Sequence, residues 1–229
     1  MEHHDRFVSY QGTFVGKMRL HSYTIEHDYG FAPNPFYGVC TLATCKPRIR
    51  QHAEVGDCVI GCGSSKRNRR GFLTYFMFVE EIISFDHYWQ DERFQHKKPF
   101  LGGSIKQAFG DNIYHRSNGR WQQADSFHSR FGGLVNRQNM NRDTGSQNVL
   151  ISTDFAYWGG FGPQVPEVFR HYRGIDLCVK RGHRNHFPEE MVPLVAKWLR
   201  SLNAKGYLGD PLEWHVLSRT GRPAMTVWG

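Results

Sequence analysis

The sequence predicts an α+β fold in which a curled β-sheet is flanked by helices. The run FLTYFMFVEEIISF at residues 72–85 is long and rich in β-forming residues, which is typical of a central strand in such a sheet. Shorter β-forming runs occupy residues 18–25 and 148–152. Helical signals are confined to other segments, the clearest of which spans residues 188–205.

The composition is that of one globular domain, and we treat residues 1–229 as a single unit. The chain is 39% hydrophobic and 22% charged, a balance that excludes a disordered protein. No run reaches the roughly 18 consecutive apolar residues that a membrane-spanning helix needs. The first residues show no apolar signal segment either, so we expect a cytoplasmic protein without membrane contact.

The first elements follow from local signals. Apolar and polar residues alternate weakly over the strand at residues 18–25, and the glycines and prolines of YGFAPNPFYG fix a rigid loop over residues 29–38. Pro47 opens a short helix that must end by Gly56. A second short helix begins at Asp86, which we expect to act as its N-cap.

A polar middle segment, residues 97–153, is rich in Gly, Asn, Ser, Gln and Arg, and its one convincing strand is 148–152. A polar segment of this length inside a compact domain is usually functional or mobile. The helix at 188–205 follows it, with Pro188 near its start, Gly206 at its end and one apolar face between them.

The five cysteines do not form a zinc signature. Their number is odd and no export signal accompanies them, so we expect reduced thiols. Cys58 and Cys62 lie four residues apart in an apolar run that is typical of a strand, which separates them by about 13 Å. One zinc ion cannot bridge that distance, and the sequence therefore predicts no metal.

Two other cysteines, Cys40 and Cys45, are candidate nucleophiles. Cys45 directly precedes Lys46 and Pro47 at a helix start, a position that favours the thiolate form of a cysteine. No histidine is adjacent to either cysteine in the sequence. The alternative is that both thiols are buried and inert, which is the commoner situation for free cysteine.

The formal net charge of +8 favours phosphate-bearing partners. A sequence pI near 9.4 implies a positive surface, which attracts nucleic acids and nucleotides alike. The alternative is a basic protein whose charge only maintains solubility. No motif identifies a cofactor.

The densest group of polar functional side chains lies in GDNIYHR, residues 110–116, and WQQADSFHS, residues 121–129. The predicted catalytic residues are Asp111, His115 and His128, because histidine exchanges protons near neutral pH and a neighbouring aspartate tunes it. The same side chains could instead ligate a divalent metal or cap turns.

The order of elements between residues 18 and 85 resembles that of PUA-like barrels, including the EVE and ASCH domains. Strand, loop, short helix, VGD turn and further strands follow one another in that region. The resemblance implies a curled, mostly antiparallel β-barrel with peripheral helices, whose core lies in residues 18–163. Residues 164–229 are then a C-terminal extension that carries the 188–205 helix.

Several sequence blocks resemble a second and more specific family. GFAPNPFYGVCTLATCKPRIR, VGDCVIGCGS, FDHYWQDERF, GDNIYH and DSFHS occur in one order between residues 23 and 163. Together they are similar to the second of the numbered nucleotide modification associated domain families. That resemblance implies a bacterial or phage-borne protein connected with hypermodified DNA bases, and it implies no particular mechanism.

In a PUA-like arrangement, the 29–38 loop and the start of the next helix lie at the rim of a pocket. Aromatic rings there would stack on a nucleobase, an amide would contact its polar edge, and cations and helix-start groups would bind phosphate. The predicted nucleotide-binding residues are Tyr29, Phe31, Asn34, Phe36, Thr41, Thr44, Lys46, Asn112, Arg116 and Ser126. Ordinary packing beneath a rigid loop is the alternative for the aromatic residues.

The function predicted from these features is recognition of a nucleobase or nucleotide. In the leading hypothesis the ligand is a modified base, and the setting is DNA hypermodification or phage conflict. The expected partner is a nucleic acid or a nucleotide. One alternative is an enzyme, a transferase or hydrolase that acts on the base or nucleotide through His and Asp acid–base chemistry. Another is a protein-interaction module whose positive charge serves only solubility.

Overall fold

Two separate β-sheets form the centre of the fold in the computed structural model, which describes residues 17–214. The strands are β1 Leu20–Ile25, β2 Cys40–Leu42, β3 Cys58–Gly63, β4 Leu73–Phe78, β5 Glu81–Ser84, β6 Tyr114–Ser117, β7 Arg120–Gln123, β8 Asn148–Ser152, β9 Phe155–Tyr157, β10 His183–Arg184 and β11 Gly206–Tyr207. The helices are α1 Pro47–His52, α2 Phe85–Gln90, α3 Ile105–Ala108, α4 Arg137–Asp143, α5 Glu167–Arg170 and α6 Met191–Ser201. Between residues 17 and 214, no helix is long and apolar enough to cross a bilayer.

The larger sheet has six strands in the order β10-β1-β3-β4-β9-β11. Two of its pairs are parallel, β1 with β3 and β9 with β11, and the others are antiparallel. The smaller sheet has the antiparallel order β2-β8-β5, and β6 and β7 form a separate hairpin. The fold is therefore α+β with one mixed sheet and one antiparallel sheet.

The predicted PUA-like barrel is wrong, because no sheet within residues 17–214 closes on itself or curls strongly. The run at 72–85, expected to be one central strand, instead divides between the sheets as β4 and β5. At the break, the Val79 amide donates to the carbonyl of Asp57 at 2.8 Å, and the Glu80 amide donates to that of Ile151 at 3.0 Å. The chain thus changes sheets at Val79 and Glu80, and no single sheet receives the whole run.

Four layers stack in the order α6, larger sheet, smaller sheet, and α2 with the β6–β7 hairpin. Successive side chains of β3 point to opposite faces of the larger sheet. Ile60 packs with Val195 and Leu199 of α6 on one face, whereas Val59 packs with Leu150 of the smaller sheet on the other. Each such aliphatic side chain contributes about 1.5–3 kcal/mol when it is fully buried. α6 lies within the predicted 188–205 range.

Two local predictions need correction. The N-cap of α2 is Ser84 rather than Asp86, since the Ser84 hydroxyl accepts from the backbone amide of His87 at 3.2 Å. Cys62 and Cys178 form a disulfide, so the expectation of reduced thiols is wrong for this pair. The spatial proximity of these two residues, 116 positions apart, comes from the packing of the segment before β10 against β3.

Arg50 on α1 is fully buried and connects segments that are far apart in the sequence. Its guanidinium donates to four backbone carbonyls, those of Cys45 (2.9 Å), Ser146 (2.9 Å), Asn148 (2.7 Å) and Asp143. Burial lowers the pKa of Arg50 to about 10, against the effect of Asp143, so the group stays charged at neutral pH. Arg50 therefore ties the start of α1 to the end of α4 and to β8.

We expect Arg50→Met to lower the free energy of unfolding by about 3–5 kcal/mol, because it leaves buried carbonyls without a donor and removes a buried charge. Urea unfolding followed by circular dichroism measures this loss. Arg48→Met is the matched control on the same helix, and its exposed side chain should change stability by less than about 0.5 kcal/mol. Equal effects of the two substitutions would contradict the role of Arg50.

Candidate active site

A cavity of about 680 Å³ opens where β1, the loop after it, the start of α1, the loop after β7, α4 and β10 meet. Its aromatic lining comes from Tyr23, Tyr29, Phe31 and Phe127, and its basic lining comes from Lys46, Arg48, Arg142 and Arg181. Cys45 and His128 also line it. The cavity thus combines aromatic, cationic and potentially reactive groups.

Cys45 lies in a strained turn between β2 and α1. Its φ is 56°, and that of Lys46 is 41°, which places two consecutive non-glycine residues in the left-handed region. Such a conformation costs roughly 1–3 kcal/mol per residue and persists only where the surroundings enforce it. Here the Cys45 amide donates to Asp143 Oδ1 at 3.0 Å, and Pro47 begins the helix that follows. The turn holds the thiol at a fixed place beside the cavity.

His128 and Asp143 form a hydrogen-bonded row with Cys45. His128 Nε2 lies 3.9 Å from Cys45 Sγ, and His128 Nδ1 lies 2.7 Å from Asp143 Oδ2. Because a carboxylate can only accept, the proton of that second bond belongs to Nδ1, and Nε2 faces the sulfur. This arrangement, in which a thiol contacts an imidazole and the imidazole contacts a carboxylate, is that of a cysteine catalytic triad.

Asp143 is fully buried and its carboxylate oxygens accept from four groups. Oδ2 accepts from the Tyr114 hydroxyl at 3.0 Å as well as from His128. Oδ1 accepts from the Cys45 amide and from Arg142 Nε at 3.2 Å. Four donors around one carboxylate fix its orientation, and therefore that of the imidazole bonded to it.

The His128 ring is fixed by packing and by its own backbone. Its carbonyl accepts from Gln123 Nε2 and from Asn139 Nδ2, each at 3.1 Å. The Phe31 ring packs against the imidazole with 4.6 Å between centroids. The imidazole therefore has little rotational freedom, as a general base needs.

The charges in the row favour a protonated imidazole. Burial opposes the charge on His128, but the Cys45 sulfur and the Asp143 carboxylate outweigh it and raise its pKa to about 9. Burial also acts to raise the pKa of Asp143, yet His128, Arg142 and Arg50 hold it below its ordinary value. The imidazolium places a positive charge beside the Cys45 sulfur.

The same three side chains have their ligand atoms within 4.8 Å of one another, a spacing that a metal ion could bridge. However, both oxygens of Asp143 and Nδ1 of His128 are already engaged in hydrogen bonds. Only Cys45 Sγ and His128 Nε2 remain available, fewer than the three or four protein ligands of ordinary zinc sites. The donor set therefore fits a triad better than a metal centre.

Of the three predicted catalytic residues, the structure places His128 at the cavity and the other two outside its lining. Asp111 is fully buried and accepts from the hydroxyls of Thr41 (2.7 Å) and Tyr88 (2.8 Å). His115 stacks on Trp89 with 4.0 Å between ring centroids.

Among the predicted nucleotide-binding residues, Tyr29, Phe31 and Lys46 line the cavity. Asn34 instead belongs to a buried network, since Lys97 Nζ donates to its carbonyl at 2.9 Å and to its Oδ1 at 2.7 Å. Burial lowers the pKa of Lys97 to about 8, against the effect of nearby carboxylate charge. This network fixes the loop that carries the two aromatic residues.

The remaining predicted binding residues have other surroundings. Phe36 is buried in stacked contact with Trp214, and Asn112 Nδ2 donates to the backbone carbonyls of Tyr88 and Phe94. The guanidinium of Arg116 lies over the Trp121 ring at 4.6 Å. Thr44 and Ser126 are fully buried, and within residues 17–214 their hydroxyl oxygens have no hydrogen-bond partner.

Sequence reasoning did not single out Asp143. It lies in the segment NRDTGS, where nothing distinguishes it from the other carboxylates of a chain with 21 Asp and Glu residues. Its role follows from the position of α4 beside α1, which no local pattern encodes. The one usable signal was the combination of Cys45 at a helix start with a distant histidine, and 13 histidines leave that choice open.

A family model described as nucleotide modification associated domain 2 matches residues 17–218. The match includes every residue of the cavity and extends through α6. No curated protein and no solved structure shows significant similarity to the chain.

The raised pKa of His128 predicts a pH-dependent contribution to stability. Because the folded value of about 9 exceeds the ordinary 6.5, the stabilisation is complete below pH 6.5 and is lost as the pH rises through 9. The difference in melting temperature between the wild type and His128→Gln should therefore shrink between about pH 6.5 and about pH 9. His171→Gln, at an exposed site, is the control. A difference that stays constant over this interval would count against the charged pair.

Proposed function

The chain belongs to the nucleotide modification associated domain 2 family, and from that premise we propose that it is a cysteine-dependent transferase or hydrolase acting on a nucleotide. The observation that carries the proposal is the row of Cys45, His128 and Asp143 beside a cavity lined by aromatic and basic residues. Association with nucleotide modification follows from the family, whereas the enzymatic role is inferred from the geometry.

The chemistry that suits this row is acyl transfer through a thioester. In the reacting pair His128 Nε2 holds the proton and Cys45 Sγ is the nucleophile. Sγ bonds to the acyl carbon, and the leaving group departs with the proton from His128. An acceptor hydroxyl or amine then gives its proton to His128 while it attacks the thioester carbon. The bond from Sγ to carbon breaks while the proton stays on His128, which restores the starting pair, so the cycle needs no oxidant or reductant.

Asp143 acts by positioning in this scheme. Its hydrogen bond to Nδ1 keeps Nε2 directed at the thiol and stabilises the imidazolium that forms when the proton is taken up. Its second oxygen holds the Cys45 amide, and thus the strained turn that presents the nucleophile. One carboxylate therefore orients both reacting groups.

Nucleobase recognition in this proposal depends on the aromatic side of the cavity. Tyr29 and Phe127 have ring centroids 4.8 Å apart, and Phe31 contacts Phe127 at 5.4 Å. Phe31 is buried, whereas Tyr29 and Phe127 are only partly buried and offer surface on which a flat base stacks, at about 1–3 kcal/mol per base. Because Phe31 also touches His128, a base stacked here lies close to the reactive row.

The first hypothesis from the sequence, recognition of a modified base without chemistry, uses the same cavity and stays a prediction. A setting in DNA hypermodification or phage conflict stays a prediction too, and so does a cytoplasmic location. The triad favours the enzyme, because a pure reader has no need of a thiol facing an imidazole that is held by a buried carboxylate.

We expect the wild-type protein to form a covalent acyl adduct at Cys45 when it is mixed with p-nitrophenyl acetate. Intact mass and peptide mapping identify the adduct, and p-nitrophenol release gives its rate. Cys45→Ala should abolish the adduct at this site, and His128→Gln should slow its formation by about 10²–10⁴-fold, because the proton acceptor is missing.

The exposed His171 provides the matched control, and His171→Gln should react at the wild-type rate. Asp111→Asn and His115→Gln test the catalytic roles that the sequence predicted for those residues. Acylation spread over other residues, or an equal rate in His128→Gln, would contradict the proposed chemistry.

A further inference from the structure

One side of the cavity collects positive charge from two distant parts of the chain. Lys46 and Arg48 come from the start of α1, whereas Arg181 and His183 come from the segment that enters β10. Antiparallel pairing of His183 with Tyr23 on β1, and a hydrogen bond of 3.1 Å from the Thr24 amide to the Gly182 carbonyl, fix that segment.

These cations are not neutralised by direct ion pairs. Lys46 Nζ contacts the Thr24 carbonyl at 3.4 Å and lies 4.7 Å from the centre of the Tyr23 ring. Within residues 17–214, the side chains of Arg48 and Arg181 have no carboxylate within ion-pair distance. The one acidic residue in the described lining, Glu26, is bonded to Lys66 at 2.8 Å, and it interacts electrostatically with Lys46 and Arg181 without a direct ion pair to either.

Some basic residues outside the cavity are paired directly with carboxylates. In the run of residues 65–70, Arg67 pairs with Glu213 at 2.8 Å and Arg70 pairs with Asp176 at 3.3 Å. The cavity cations also act on the histidine beside them, since burial and then the charges of Lys46 and Arg48 lower the pKa of His183 and favour its neutral form. Unpaired like charges destabilise a fold, and a cavity that retains them is suited to an anionic ligand.

We infer that Lys46, Arg48, Arg181 and His183 form a subsite for the phosphate group of a mononucleotide, beside Cys45. The inference rests on the proposed function for the nucleoside part of the ligand, but the phosphate part stands on these four side chains alone. Arginine donates in a fixed fork that matches phosphate oxygens, a nearby lysine adds charge, and the imidazole of His183 adds a donor.

The layout of the cavity favours one nucleotide over a polymer. Its volume of about 680 Å³ is within the roughly 300–1,000 Å³ typical of small-molecule pockets. The cations adjoin Cys45, and the aromatic rings adjoin His128, with Phe31 at 4.6 Å from its centroid. A nucleotide with its base on the rings and its phosphate on the cations therefore extends across the reactive row.

The test uses the full chain carrying Cys45→Ser, so that no turnover occurs, and isothermal titration at fixed ionic strength. Thymidine 5′-monophosphate, thymidine and inorganic phosphate are the probes. We expect the monophosphate to bind about tenfold more tightly than thymidine. The double variant with Arg48→Gln and Arg181→Gln should lose that difference without any loss of affinity for thymidine. Arg120→Gln, at an exposed site on β7 outside the cavity lining, should change nothing.

Both arginines are exposed, so the double variant should keep its fold, which its melting temperature checks. Restored binding of the monophosphate in the variant with Arg48→Lys and Arg181→Lys would support a charge effect. Inorganic phosphate should compete with the monophosphate in the parent protein. An unchanged monophosphate affinity in the double glutamine variant would overturn the subsite. Tighter binding of a single-stranded oligonucleotide than of the monophosphate would overturn the assignment to a mononucleotide.

Failure of the subsite is separable from failure of the enzyme proposal. Acylation of Cys45 without a phosphate-dependent affinity would remove the subsite alone. Phosphate-dependent affinity with an inert Cys45 would remove the chemistry alone and leave a nucleotide-binding protein.

Discussion

The site depends on the buried guanidinium of Arg50. Four backbone carbonyls accept from it, and two of them belong to Cys45 and Asp143, the ends of the reactive row. The Cys45 amide also donates a hydrogen bond to the Asp143 carboxylate, which joins these two residues directly. Because a buried charge without partners is strongly unfavourable, the chain keeps these segments together wherever the core is intact.

The surroundings of this row serve reactivity at some expense of stability. Two residues at positive φ and a group of unpaired cations are unfavourable features, and both lie along one cavity. The layered core offsets them, since α6 and the two sheets bury aliphatic and aromatic side chains on three interfaces. Concentration of such features at one place is what distinguishes a functional site from ordinary packing.

Local signals predicted much of the secondary structure but not the way the sheets assemble. The strand at 148–152 and the helix opened by Pro47 follow from residue type and position, and the structure has both. The 72–85 run has its only charged residues, Glu80 and Glu81, where it changes sheets, but hydrogen bonds to distant carbonyls decide that the strand divides there. The site shows the same limit: His128 has a chemistry that sequence can recognise, whereas Asp143 matters only through its position in space.

The most direct test of this account is the rate at which iodoacetamide alkylates Cys45, measured by peptide mapping in three folded proteins. If Arg50 places the thiol against an imidazolium, the wild type should react at least about tenfold faster than His128→Gln and Arg50→Lys. Equal rates in all three proteins would show that Cys45 and His128 do not act as a unit, and would contradict the role of Arg50 in placing them.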